Sequence, residues 1–277
     1  MSIKENVIEK IQQKKEFKYL DNSFIAEILS NYIKKYNLKL ENLKEKEIKI
    51  LVKEIRAKLR LYTGRFQVSL KKRLQLLEQN KINELLSTHF STAERLDFYP
   101  KLKQLMKSLK IKSILDLACG LNPIAIANQE IEFYASDIDK ENLILVEIFF
   151  KKNKIQGKTF VCDIRKIKDN LPEIDLTLLL KILDILEKPY EVTEILIEKI
   201  KSKYFLISFA TKTLSGKPMK NPRRFWLERL LNTKKLVYQV FSSKNEIFYL
   251  IEKGQDKVTK QSIKISKEVL RLHLLLF

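Results

Sequence analysis

The residues able to do chemistry sit at the ends of three short apolar runs. The first, SILDLACGLNP over 113–123, carries Asp116, Ala118, Gly120 and Pro123. The second ends in Ser136-Asp137-Ile138-Asp139, the third in Cys162-Asp163-Ile164. Strands that finish on carboxylates put acceptors on the edge where open α/β sheets bind ligands. There Asp137 can accept two hydrogen bonds from a ribose diol, Asp163 can accept from an adenine amino group, and Ile164 can cover a ring face. A dinucleotide site needs three glycines at G-x-G-x-x-G spacing. Here Gly120 stands alone, with Ala118 and Pro123 in the other two positions. Pro123 also removes an amide that a pyrophosphate would use. No phosphate-binding Walker pattern is present. The turn therefore fits an adenosyl cofactor without phosphate, S-adenosylmethionine (SAM). Strand-end aspartates also cap helices, a reading that suffices for any one of them but explains the ordered set poorly.

The elements that must position these groups follow from periodicity. β-rich runs are expected at Ile111–Leu117, Glu132–Ile138, Thr159–Ile164, Ile174–Leu180, Tyr204–Ala210, Leu236–Phe241 and Glu246–Glu252, with helices at 140–153, 187–202 and 220–232. Alternation of this kind predicts a parallel sheet with crossover helices. Only Ser242–Asn245 separates the last two runs, so they must form an antiparallel hairpin. The expected fold is α/β: a Rossmann-like SAM-methyltransferase sheet closed by that hairpin. An all-α domain precedes it. Phe24, Ile25, Ile28 and Leu29, then Leu51, Val52, Ile55 and Leu59, recur at helical spacing. Asp21 or Asn22 can cap the first of these helices and Gly64 can end the second; further helices are expected at 67–79, 80–87 and 94–109. The division is 1–109 helical, 110–253 catalytic sheet, and a 254–277 tail that packs on the body.

Charge is unevenly spread over the 277 residues. Residues 1–110 hold 25 Lys/Arg against 13 Asp/Glu, 111–210 hold 14 against 16, and 211–277 hold 15 against 5, within a total of +20. Two cationic flanks around a near-neutral middle suit a polyanion such as RNA, although solvated lysine-rich helix faces give the same count. No run long enough to span a membrane occurs, and the charged N-terminal stretch lacks the apolar core of a secretory signal. Cys119 and Cys162 match no zinc spacing and are too few for a disulfide framework. No metal site and no membrane partner are expected, and the setting is expected to be reducing and cytoplasmic.

Four stretches, in order, carry a family resemblance: THFSTAERLDFYPKL (88–102), SILDLACGLNPIAI (113–126), LLLKILDILEK (178–188) and LISFATKTLSGK (206–217). The chain resembles the aminoglycoside-resistance 16S rRNA (guanine-N7) methyltransferases, that is, the Arm/Rmt-type enzymes and the FmrO-like self-protection enzymes of aminoglycoside producers. The resemblance implies methyl transfer from SAM to N7 of a guanine in the decoding region of 16S rRNA within the 30S subunit, with the helical domain docking on folded rRNA; a monomer is expected. It places Ala118 and Gly120 at the cofactor, Asp137 at its ribose and Asp163 at its adenine, with Arg95 near its methionine carboxylate; Asp116 and Ile164 join this cofactor-binding set from the strand-end reading. Lys181, Lys212 and Lys217 would face RNA. The sequence departs from the family after the SGK motif, where Pro218 to Trp226 replace a Lys-Gly-Met-like segment. Lys220, Arg223 and Arg224 in that segment form, with Lys217, a basic loop suited to RNA.

Guanine N7 has a free lone pair, so no general base is needed, and His89 and His273, the two histidines of the chain, are no obstacle. Catalysis would rest on placement and exclusion of water. Lys181, Lys212 and Phe209 are the candidates for it, the lysines on phosphates or the base carbonyl. Phe209, Phe225 and Trp226 can stack on a flipped base or simply pack in the core. Arg95 can instead pair with Glu94 or Asp97, and His89 reads as a hydrogen-bonded helix-end residue. The residues alone leave two other readings open: a methyltransferase of another RNA or a protein, and a non-catalytic RNA-binding or ribosome-assembly protein.

Overall fold

The computed structural model describes residues 2–63, 68–167, 171–213 and 216–253. The expected helix end at Gly64 and the 254–277 tail lie outside the described residues. Three helices come first: α1 (Ile3–Gln12), α2 (Asn22–Lys35) and α3 (Glu45–Thr63). Asp21 caps α2, accepting from the amides of Ser23 and Phe24. The apolar stripes read from the sequence are the buried ones, and with Val7, Ile11 and Phe17 they make a core of their own.

Four shorter helices follow, α4 (Leu70–Glu78), α5 (Ile82–Leu86), α6 (Phe90–Glu94) and α7 (Tyr99–Ser108). The helix expected over 94–109 is thus broken. Pro100 falls in the first turn of α7, where its missing N–H costs nothing. α4, α5 and α7, with Phe98 just ahead of α7, bury Leu76, Leu86 and Leu102 together with Ile114 and Phe133 of the sheet. The period changes at 111, but the hydrophobic cores divide earlier, between α3 and α4.

The remaining elements are β1 (Ser113–Leu117), α8 (Asn122–Ile126), β2 (Glu132–Asp137), α9 (Lys140–Lys152), β3 (Gly157–Val161), β4 (Ile174–Leu180), α10 (Pro189–Lys199), β5 (Ser202–Ala210), α11 (Phe225–Thr233), β6 (Val237–Ser242) and β7 (Glu246–Glu252). The sheet has seven strands in the order β3-β2-β1-β4-β5-β7-β6. β1 to β5 run parallel, and β7 inserts antiparallel between β5 and β6. This order reverses between β1 and β4, the switch point where α/β sheets open a crevice. The third strand begins and ends earlier than expected, so Asp163 lies in the loop beyond it. α11 begins at Phe225 because Pro222 and the residues around it keep the preceding segment a loop.

The three-helix unit is fastened beside that crevice. The Asp21 amide donates to the carbonyl of Ile138 at 3.0 Å and the Lys140 amide to that of Tyr19 at 3.0 Å. Lys140 pairs with Asp21, and Arg165 and Lys166 pair with Glu27.

Candidate active site

The loop after β1 is built on left-handed backbone. Ala118 has φ 54° and Gly120 φ 51°. A Cβ on Gly120 would stand 2.7 Å from Cε1 of His89, so only glycine fits beneath that ring. Across the switch point Lys181, just past β4, also has φ 58°. Non-glycine residues in this region cost free energy and cluster at functional sites.

Asp137 organises the same loop. Its Oδ2 accepts from the Gly120 amide at 2.8 Å and from Asn142 at 3.4 Å, and its Oδ1 accepts from the Asp139 amide at 2.9 Å. Asp139 caps α9 through the Glu141 amide, and Asp163 caps the 164–166 turn through the Arg165 amide. The capping reading therefore accounts for Asp139 and Asp163 but not for Asp116 or Asp137. Arg165 also folds back on both oxygens of Asp163. Ile164 is buried beneath that turn.

Beyond these bonds, buried polar atoms without partners mark the edge: both oxygens of Asp116, Ser136 Oγ, Thr177 Oγ1 and His89 Nδ1. Buried polar groups are rarely left unpaired, and several around one loop point to a polar ligand. Burial pushes the Asp116 carboxyl well above the usual range, against the pull of Arg95 and the nearby Asn122 side chain, with Asp137 adding to the rise. Burial likewise raises Asp137. It raises Asp139 to about 7, with help from the Asp137 charge. Burial, with Arg73 and Arg95 nearby, lowers His89 to about 3, so its ring is neutral.

Arg95 is placed differently from the pairing with Glu94 or Asp97 that sequence proximity suggests. It is fully buried, and it clasps Glu246 of β7 with Nε at 2.9 Å and Nη2 at 2.7 Å. Nη1 reaches Asn122 at 2.6 Å, and Tyr99 donates to the same oxygen at 2.7 Å. Glu246 also accepts from Ser208 at 2.6 Å. Lys181 is nearly buried and pairs with Glu94 at 2.5 Å, with Glu246 at 4.0 Å. α6 is thereby bolted across the carboxyl edge of the sheet. Sequence reading missed Glu246: an acid opening an otherwise apolar strand was its only signal. Asn122 stood in view within the CGLNP motif.

The basic loop divides. Lys217, Lys220 and Arg223 are exposed, Lys212 is half-buried, and Arg223 pairs with Glu228. Arg224 turns inward to Asp184 and lies over the Phe209 ring. Phe209 requires a correction: it is fully buried, edge-on to Trp226 and Tyr249, and offers no face to a base. Phe225 is 64% exposed and Phe90 on α6 is 70% exposed. His89 stands at a helix end, that of the unexpected α6, and its Nδ1 makes no hydrogen bond. Cys119 is a buried turn residue. Among the described residues no cluster suited to a metal ion occurs, and no helix is long and apolar enough to cross a membrane.

A parallel sheet with an inserted antiparallel last strand, and a buried acid without a hydrogen bond, Asp116, at its switch point, define a Rossmann-like methyltransferase. Residues 77–249 match the family described as ribosomal RNA methyltransferase (FmrO), and the chain belongs to that family. It is 30% identical over 189 residues to the 16S rRNA (guanine(1405)-N(7))-methyltransferase of Micromonospora echinospora, a match spanning 62% of this chain and 66% of that one. The enzyme of the same description from Serratia marcescens is 29% identical over 191 residues, 67% of this chain and 76% of the relative. The chain thus spans just under two thirds of the Micromonospora relative. Among solved structures, the 16S rRNA methylase RmtB aligns with a TM-score of 0.73 at 23% identity, over 92% of this chain and 99% of that one. The methyltransferase RmtF, solved with S-adenosylhomocysteine, aligns at 0.75 with 21% identity over the same shares, 92% and 99%. These two show the shared fold.

Proposed function

We propose that the chain is a SAM-dependent methyltransferase that modifies N7 of a guanine in the decoding region of 16S rRNA within the 30S subunit. The observation that carries this is Asp116, fully buried without a partner at the switch-point loop of a chain from the rRNA-methyltransferase family.

The residues present fit the cofactor. Gly120 and Ala118 would lie along it, Asp116 and Asp137 would accept from its polar groups, and Asp163 and Ile164 would border the adenine. Arg95 has donors beyond those spent on Glu246 and Asn122 and would serve the methionine carboxylate. When bound, SAM supplies a methyl group activated by the sulfonium. The protein's part is positional. A neutral His89 would add no positive charge to this edge, and Glu94 and Glu246 offset the charges of Lys181 and Arg95 there. A guanine gaining charge at N7 would otherwise be opposed. Lys212, Lys217, Lys220 and Arg223 would hold RNA phosphates, Arg224 would shape the loop through Asp184, and Phe225 offers a stacking face. The helical segment 1–109 would dock on folded rRNA, as a cytoplasmic monomer's substrate clamp. Modification of that guanine would confer aminoglycoside resistance.

The test is transfer of labelled methyl from SAM to purified 30S subunits, with the modified nucleotide mapped. A label on a decoding-region guanine is expected. No label, or a label confined to tRNA or protein, overturns the proposal.

A further inference from the structure

Arg73 lies on α4, ahead of the residues that match the family, and is almost completely buried. Its three nitrogens reach three residues in two segments, Thr88 and α9. Nε donates to Thr88 Oγ1 at 3.1 Å, Nη1 to Glu141 at 3.0 Å and Nη2 to Asn142 at 3.0 Å. Each arm leads to the cofactor edge. Thr88 precedes His89, whose ring closes over Gly120. Asn142 donates to Asp137 Oδ2, the oxygen that also holds the Gly120 amide. Glu141 gives its amide to Asp139. A planar guanidinium can hold three acceptors in fixed directions; an ammonium on a flexible stem cannot.

We propose that Arg73 is a positioning residue of the cofactor pocket, which fixes the His89–Gly120 contact through Thr88 and the Asp137 carboxylate through Asn142, so that α4 sets cofactor affinity. The inference rests on the reading of this edge as the SAM site. A side chain needed only to neutralise Glu141 could be a lysine. One that orders Thr88 and Asn142 together could not.

The experiment is calorimetric titration of the full chain with S-adenosylhomocysteine, with thermal melting alongside. Arg73→Lys keeps the charge for Glu141 and is expected to fold, yet to bind about tenfold more weakly, as loss of a charge-assisted hydrogen bond implies. Asn142→Ala is expected to weaken binding to a similar extent. The double variant should be little weaker than either single one, because both act on one path. Folded Arg73→Lys protein with affinity within about twofold of wild type overturns the inference. If Arg73→Lys does not fold, Asn142→Ala and Thr88→Val each remove one arm while sparing the ion pair, and unaltered affinity in both overturns it equally. Wild-type protein that binds no S-adenosylhomocysteine overturns the pocket reading itself, and the inference with it.

Discussion

Gly120 shows how much of the site one residue can decide. Its φ of 51° disfavours a side chain on energetic grounds, and His89 stands where a Cβ would go. Gly120→Ala should therefore destabilise the fold by about 1–3 kcal/mol, the sum of left-handed backbone and an overpacked contact. Adding His89→Ala should recover the steric part and leave the backbone part. Urea denaturation of the three proteins separates the two. Asp139 carries a second prediction, in pH. Its carboxyl ionises near 7 in the fold against the usual 3.8, chiefly through burial. The folded state thus retains a proton that the unfolded chain has lost, so stability falls as pH rises through that window and stays reduced above it. Asn at this position keeps the oxygen that caps α9 and removes the titration. Asp139→Asn should match wild type near about pH 4 and melt higher at about pH 8. His89, lowered to about 3, costs stability as pH falls below its usual 6.5, but equally in both proteins, so it cancels in the comparison. A pH-independent difference in melting temperature would contradict the burial of this acid.

At the scale of elements, the helix ends explain what could and could not be read from the chain. Five helices end with a left-handed residue that is not glycine: Asn37, Asn80, Lys110, Lys154 and Lys235. Each is followed by an amide bonded back into the last turn, as Ile155 N donates to Phe150 O at 2.9 Å and Leu236 N to Leu231 O at 2.9 Å. With five glycines in the whole chain, the usual stop signal was missing at every one of these ends. That makes a direct prediction: Lys154→Gly and Lys235→Gly, at exposed positions, should each stabilise by about 1 kcal/mol and add when combined. Chemical denaturation reads this out. Strands were easier to place, since alternation and apolar runs need no cap residue, and β4 and β7 fall where their β-rich runs lie. The loop aspartates were legible because they stand beside those runs. The partners that hold the site were not: Arg95 finds Glu246 at a separation of 151 residues, and Arg73 finds Asn142 at 69. Local pattern carries no trace of such pairs. α6 was hidden for a related reason: a five-residue helix has too few turns to show a period, and tertiary ion pairs hold it.

For the molecule as a whole, the decisive property is where the charge lies relative to the pocket. The near-neutral 111–210 region, with 14 basic and 16 acidic residues, carries the proposed cofactor edge, while the +12 and +10 flanks lie ahead of and behind it in the chain. An adenosyl sulfonium is itself cationic, so a strongly basic pocket would repel it; on the proposed reading the near-neutral composition of this region avoids that repulsion. On the same reading RNA would be drawn by the flanks, whose lysines would release counterions from phosphates. The two ligands therefore answer to salt differently. Affinity for 30S subunits should fall steeply with salt, whereas affinity for S-adenosylhomocysteine, held by buried groups, should change little. Lys217 and Lys220 are exposed on the loop after β5 and separate the two effects cleanly. Replacing both with alanine should lower the slope of log affinity for 30S against log salt by about 1.5, near the value for two lost phosphate contacts. S-adenosylhomocysteine affinity should stay the same. Filter binding over a salt series, with calorimetry on the same samples, tests both halves. An unchanged slope would remove this loop from the RNA interface, and leave the N-terminal helices to supply the attraction alone.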